Sequence, residues 1–254
     1  MTSGNFETYL FDDWTWRKKE ISDLILIAEK SESQAVLKSI ILLLYAHWEG
    51  YIKKSCRLYL KYICDNKYLI SDLSANFKAF LLKGINAEID KSGKSYNLTN
   101  ELTYLKLFIE LDDLQLGKKM QIDIENGKDK GYINTHDNLN PQVFKSILEC
   151  IGVKYKDNYT IKEKYIEVFL LTNRNSIGHG NNKIFNDEDF DLEIVSIKKL
   201  RDVIIVIVEN FRDELIEYVN EELFLNKNID KILNLSEKYN SLIKKEFETI
   251  DSKY

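Results

Sequence analysis

Residues Ser31 to Asn66 read S-E-S-Q-A-V-L-K-S-I-I-L-L-L-Y-A-H-W-E-G-Y-I-K-K-S-C-R-L-Y-L-K-Y-I-C-D-N. Leu37, Ile40, Ile41, Leu44, Trp48, Tyr51, Ile52, Tyr59 and Tyr62 recur along it at i, i+3, i+4 and i+7. That rhythm stacks apolar side chains on one stripe of an α-helix. No Pro interrupts the run, so it reads as one long helix at the centre of a core. Ser31 with Gln34 three residues on has the form of a capping box that opens it.

The same rhythm extends both ways. Residues from about Phe6 to Lys30 read as a first helix, with Trp14, Trp16, Ile21, Leu24, Ile25 and Ala28 on its apolar side. Two shorter segments, about Leu73 to Ile89 and Thr99 to Leu114, flank a K-S-G-K-S turn at Lys91 to Ser95. That turn lacks the upstream glycine and strand of a phosphate loop. Gly117 to Asn140, rich in Lys, Gly, Asn and Asp, reads as an insertion or mobile loop; its lysines suit either solvent or a nucleic-acid backbone. Asn140-Pro141 opens a short helix that ends near Gly152. Thr160 and Glu163 form a second capping box, opening a helix from Ile161 to about Ile177 that turns Tyr165, Val168, Phe169 and Leu171 to Thr172 to the core. A long helix follows over about Asp189 to Leu223, buried on more than one side, and a last amphipathic helix lies within about residues 227–250. The expected fold is an all-α, up-and-down helical bundle with extra helices and one loop-rich insertion at about 117–140. No repeat or linker divides residues 1–254, so one domain is expected.

Composition narrows the function classes. The chain has 254 residues with one Pro, and 44% are hydrophobic, which suits long unbroken helices around a sizeable core. Its net charge of −5 argues against a broad nonspecific nucleic-acid surface but permits a small cleft with local cations. Met1 to Asp13 is polar and acidic, so no secretory leader is expected. Ile40 to Ala46 and Val203 to Val208 are too short to span a bilayer. Cys56, Cys64 and Cys150 have no metal-type spacing and read as buried free thiols of a cytoplasmic protein. No metal or cofactor is expected.

The chemistry concentrates in Leu170 to Asn182, L-L-T-N-R-N-S-I-G-H-G-N-N. Arg174 offers a permanent cationic fork for phosphate, His179 a proton donor and acceptor near neutral pH, and Asn175 an amide. At about 100° per residue Asn175 and His179 share a helix face, whereas Arg174 and His179 diverge by about 140°. Arg174 and His179 therefore meet only if the helix unwinds at Gly178 or if a second copy supplies one of them. The competing structural reading pairs Arg174 with a carboxylate, uses Asn175 and Gly180 as caps and leaves His179 in a solvated loop. His47 and Glu49, on either side of Trp48, are secondary acid–base candidates. Their structural alternative is a Glu49–Lys53 surface pair and a partly buried, hydrogen-bonded His47. Gly50 costs roughly 1 kcal/mol relative to Ala within a helix, which hints at close approach of another backbone.

Arg174 to His179, R-N-S-I-G-H, resembles the Arg-x4-His signature of the HEPN superfamily of helical-bundle ribonucleases. Tyr45 to Lys53, Asn138 to Gly152 and Asp189-Phe190 resemble the larger bacterial members grouped with RiboL-PSP-HEPN. The resemblance covers most of residues 30–220, but not convincingly the 117–140 loop or the last helix. It implies a metal-independent endoribonuclease, a toxin or phage-defence effector, in which two Arg/His motifs face one cleft of a homodimer. Arg174, His179 and Asn175 would be its catalytic residues, RNA its substrate and a 2′,3′-cyclic phosphate its product. An antitoxin or a second HEPN protein of the same locus is the further partner it suggests. The alternative is a non-catalytic HEPN module that binds a nucleotide or a partner.

Overall fold

Helix α1 (Ser3–Ser31) turns back through Ser33 into α2 (Gln34–Asp65). Their rings pair in antiparallel order: Phe6 meets Tyr59 and Tyr62, Trp14 meets Tyr51 at 5.0 Å, and Trp16 meets His47 at 5.2 Å. The computed structural model describes residues 1–31, 33–82, 97–120, 122–124, 131–181, 184–185 and 191–254. The Lys91 to Ser95 turn, the end of the Leu73 to Ile89 segment, residues 125–130 and Asp189-Phe190 lie outside the described residues.

Further along come α3 (Thr99–Leu111), a one-turn helix Leu116–Lys119, and α4 (Pro141–Ile151). Then α5 (Thr160–Tyr165), a π-helical stretch Ile166–Thr172 and α6 (Asn173–Gly178) run on without a break. Two long helices, α7 (Ile194–Asn220) and α8 (Ile232–Lys253), complete the bundle. Helix α7 packs on both α1 and α2, and α8 covers the other side of α7. The Trp14 indole donates to Glu209 at 3.0 Å across the α1–α7 seam, and Asn210 donates to the Tyr239 carbonyl at 3.0 Å across α7–α8. Buried residues from α1 to α8 form one continuous apolar cluster, which places α2 and α7 at the centre. The all-α bundle is therefore the one the hydrophobic periods predict; among the described residues there is no strand, only two isolated bridges.

Local differences have physical causes. The Ser31/Gln34 box does not form: Ser33 is the N-cap, and the Gln34 side chain donates to the Leu192 carbonyl at 3.3 Å instead. The Thr160/Glu163 box is also absent, because Thr160 donates to the Asp157 carbonyl and Glu163 accepts from the Tyr155 hydroxyl at 2.7 Å. By contrast α4 is capped as expected, with Asn140 Oδ1 accepting from the Val143 amide at 2.8 Å and Gly152 left-handed at φ 79°. The described part of 117–140 is largely irregular, as expected, but it is tied down by buried Met120, Ile122, Ile133, Thr135 and Leu139. Cys56 and Cys64 are buried as expected, whereas Cys150 is exposed on α4. Among the described residues no helix is long and apolar enough to cross a membrane.

Gly117 is pressed against α2. A Cβ there would sit 2.3 Å from the Cys64 carbonyl oxygen of α2, a backbone atom that cannot swing away. Gly117→Ala is expected to lower unfolding stability by about 1–3 kcal/mol, the usual cost of overpacking, measured by chemical denaturation. An unchanged midpoint would mean the loop does not press on α2.

Candidate active site

The π-helical stretch sets the aim of the motif. Its Thr172 hydroxyl donates five residues back to the Glu167 carbonyl at 3.0 Å, and the wider turn rotates whatever follows. Leu170 and Asn173 are fully buried, Tyr165 and Val168 lie half-buried against the core, and Thr172 is exposed. Asn173 then anchors the outgoing chain. Its amide donates to the Phe169 carbonyl at 3.2 Å and the Phe185 carbonyl at 3.3 Å, and its Oδ1 accepts from the Phe185 amide at 2.7 Å. A polar residue in the buried register of this helix was the signal available for that role, and spacing alone gave it no partner.

Arg174 projects from α6 onto α2. Its guanidinium carbon lies 4.1 Å above the Tyr45 ring, Nη1 donates to Asn175 Oδ1 at 2.6 Å, and Nη2 lies 3.4 Å from the Asp137 carbonyl. The Tyr45 hydroxyl donates to that same carbonyl at 3.3 Å and accepts from the Leu139 amide at 3.0 Å. The Trp48 indole donates to the Leu139 carbonyl at 3.0 Å. Tyr45 and Trp48 thus clamp residues 137–139 to α2, which turns part of the expected insertion into a wall of the site. Burial, with the Glu49 carboxylate adding to it, pushes the Tyr45 phenol up to about 12. Tyr45 therefore stays neutral and offers Arg174 a ring face, a cation–π contact that fixes the fork.

Asn175 does not point its oxygen at His179, as a shared helix face would allow; Arg174 holds it. His179 occupies the C-cap of α6, its amide still bonded to the Asn175 carbonyl at 3.0 Å. Unwinding starts one residue later, at Gly180 with φ 75°. Gly180 donates to the Ile177 carbonyl and Asn181 to the Ser176 carbonyl at 2.9 Å, a Schellman closure. The helix therefore does not open at Gly178, and one chain keeps Arg174 and His179 on sides of the helix about 140° apart. His179 is exposed, and its ring makes no hydrogen bond or ion pair among the described residues.

The secondary candidates separate. Glu49, one turn from Tyr45, accepts from the Thr135 hydroxyl, and Thr135 also lies 3.5 Å from Lys53 Nζ. Glu49 thus borders the Arg174 site. His47 faces α1 instead: Arg17 Nη1 lies 3.3 Å from its Nδ1 and Glu20 lies 2.9 Å from its Nε2. Burial, followed by the Arg17 charge, lowers its pKa against the opposing pull of Glu20. That neutral ring cements α1 to α2, which is the structural alternative for His47. Gly50 faces no second backbone; a Cβ there would meet Arg17 Nη1 at 3.0 Å.

A family model described as HEPN_MAE_28990-like HEPN matches residues 6–224. No curated protein and no solved structure matches the chain.

Proposed function

Because this chain belongs to the HEPN_MAE_28990-like HEPN family, we propose that it is a metal-independent endoribonuclease whose active centre forms between two copies. HEPN domains are often ribonucleases, though some are non-catalytic. The observation that carries this reading is the intact turn from Arg174 to the exposed His179, which leaves a second copy as the source of the missing partner. A two-fold interface repeats the same patch on both copies, so it supplies two guanidinium groups and two imidazoles to one cleft.

In this scheme one His179 takes the proton of the RNA 2′-hydroxyl as its oxygen attacks phosphorus. The bond to the 5′-oxygen breaks, and the imidazolium so formed, the second His179 or water returns a proton to that leaving oxygen. The products are a 2′,3′-cyclic phosphate and a free 5′-hydroxyl. Arg174, desolvated on one face by Tyr45, stabilises the charge on the pentacoordinate phosphate. Asn175 holds the guanidinium with its oxygen and keeps its NH2 for a phosphate oxygen. Glu49 acts at the rim. Such an enzyme suits a cytoplasmic toxin or phage-defence effector restrained by an antitoxin or a second HEPN protein.

One observation favours the non-catalytic reading: Asn175, the Asp137 carbonyl and the Tyr45 ring already satisfy Arg174. The two readings part in one assay. Labelled RNA is incubated with wild type, Arg174→Ala and His179→Ala in EDTA, and the 3′ ends are analysed. Cyclic phosphates from the wild type alone support the enzyme. Cleavage that needs added Mg²⁺, or that survives both substitutions, overturns it.

A further inference from the structure

On the Glu49 side of the site the surface of α2 opens into a groove of about 810 Å³. Lys53, Lys54, Arg57 and Lys61 line it, with Asp123 as the one carboxylate among the lining residues. In a chain of net charge −5, this is a local reversal of sign. Lys53, Arg57 and Lys61 stand at i, i+4 and i+8, so successive cations rise about 6 Å along the helix. Tyr9 of α1 lines the same groove and is 52% exposed. Thr135 joins groove and site, touching both Lys53 and Glu49.

We propose that this groove holds the backbone of a single RNA strand on its way to Arg174, a proposal that rests on the ribonuclease reading above. A row of cations neutralises phosphates without reading sequence, and an exposed aromatic ring gives an unpaired base a surface to stack on. A duplex would not offer Tyr9 a free base face. Lys54 is held by Asp13 at 2.6 Å and anchors the α1–α2 seam, so Lys53 and Lys61 are the positions to test. Lys61 pairs with Asp65 at 3.0 Å, yet its side chain stays 37% exposed, and phosphate can share it.

Binding is measured apart from cleavage, in the His179→Ala background with EDTA, by anisotropy of a labelled single-stranded RNA. Lys53→Gln with Lys61→Gln is expected to weaken binding roughly tenfold at low salt and to flatten the salt slope by about 0.7 for each phosphate no longer neutralised. Tyr9→Ala is expected to weaken RNA binding while leaving inorganic polyphosphate binding unchanged. Lys227→Gln and Lys244→Gln, on exposed pairs elsewhere, leave affinity as it was. Photo-crosslinking of 4-thiouridine RNA to the wild-type chain gives a readout independent of variant folding, with adducts expected at residues 50–61 or Tyr9. Affinity and slope unchanged in the double variant, or adducts confined to other surfaces, overturn the track. Groove-dependent binding by a wild type that cleaves nothing removes the ribonuclease reading instead.

Discussion

A mixture of Arg174→Ala and His179→Ala chains, co-expressed so that mixed dimers form, is expected to cleave RNA far faster than either variant alone. Each variant by itself loses about 10²–10⁴-fold, the usual contribution of a proton-transfer group or a placed charge donor. In a mixed dimer one chain brings an intact His179 and the other an intact Arg174. If the working pair comes from different copies, the centre is whole again in part. The α6 geometry motivates this, because His179 follows the helix and Gly180 alone unwinds. A mixture as dead as its components, beside an active wild type, would overturn the pairing of one copy's Arg174 with the other copy's His179.

The second large effect concerns stability. Lys156, in the link between α4 and α5, places Nζ 2.6 Å from both oxygens of Glu214 on α7, with side chains 0% and 1% exposed. Burial pushes the Glu214 carboxyl up to about 7 and lowers the Lys156 ammonium, and each opposes that shift in the other. Removing one partner of such a pair costs about 3–5 kcal/mol, whereas replacing both with apolar groups is often close to neutral. Lys156→Met should therefore destabilise strongly, and Lys156→Met with Glu214→Leu should recover most of the loss. The pH dependence has a definite sign. A carboxyl whose folded pKa lies above its ordinary 4.5 holds its proton more tightly when folded. Its stabilising contribution is full below 4.5 and is lost as pH rises through about 7. Without Lys156 nothing pulls that value back, so the Lys156→Met penalty should be small near pH 5 and large near pH 8, read by urea unfolding at each pH. An equal penalty at both would show that Glu214 stays charged without its lysine.

Much of this protein was legible in the sequence. The 3.6-residue rhythm of Leu37 to Tyr62 fixed α2 as a core helix, because burying one stripe is what lets such a helix exist. Asn140-Pro141 and Gly152 marked both ends of α4, since a side-chain cap, a ring-locked φ and a left-handed residue are local requirements. The motif Arg174 to His179 announced the family, and its spacing already said that one straight helix could not bring both side chains together. The Ser31 and Thr160 boxes failed because competing partners, distant for Gln34 and nearer for Thr160 and Glu163, took the side chains. The π-helical Ile166–Thr172 left no sequence signature, and it put Thr172 in solvent, while Tyr165 and Val168 pack against the core as expected.

What the sequence determined alone was therefore everything governed by neighbours within a turn or two: helix identity, most boundaries, and the residue types of the candidate site. The tertiary structure decided which surfaces those residues meet. It stacked Arg174 on Tyr45, folded 135–139 into the wall of the site, sent His47 to Arg17 and Glu49 to Thr135, and lined one groove with lysines in an acidic chain. Contacts of that kind join side chains about 30 to 130 positions apart, where local spacing carries no information and only the packing of whole helices against one another sets the distance.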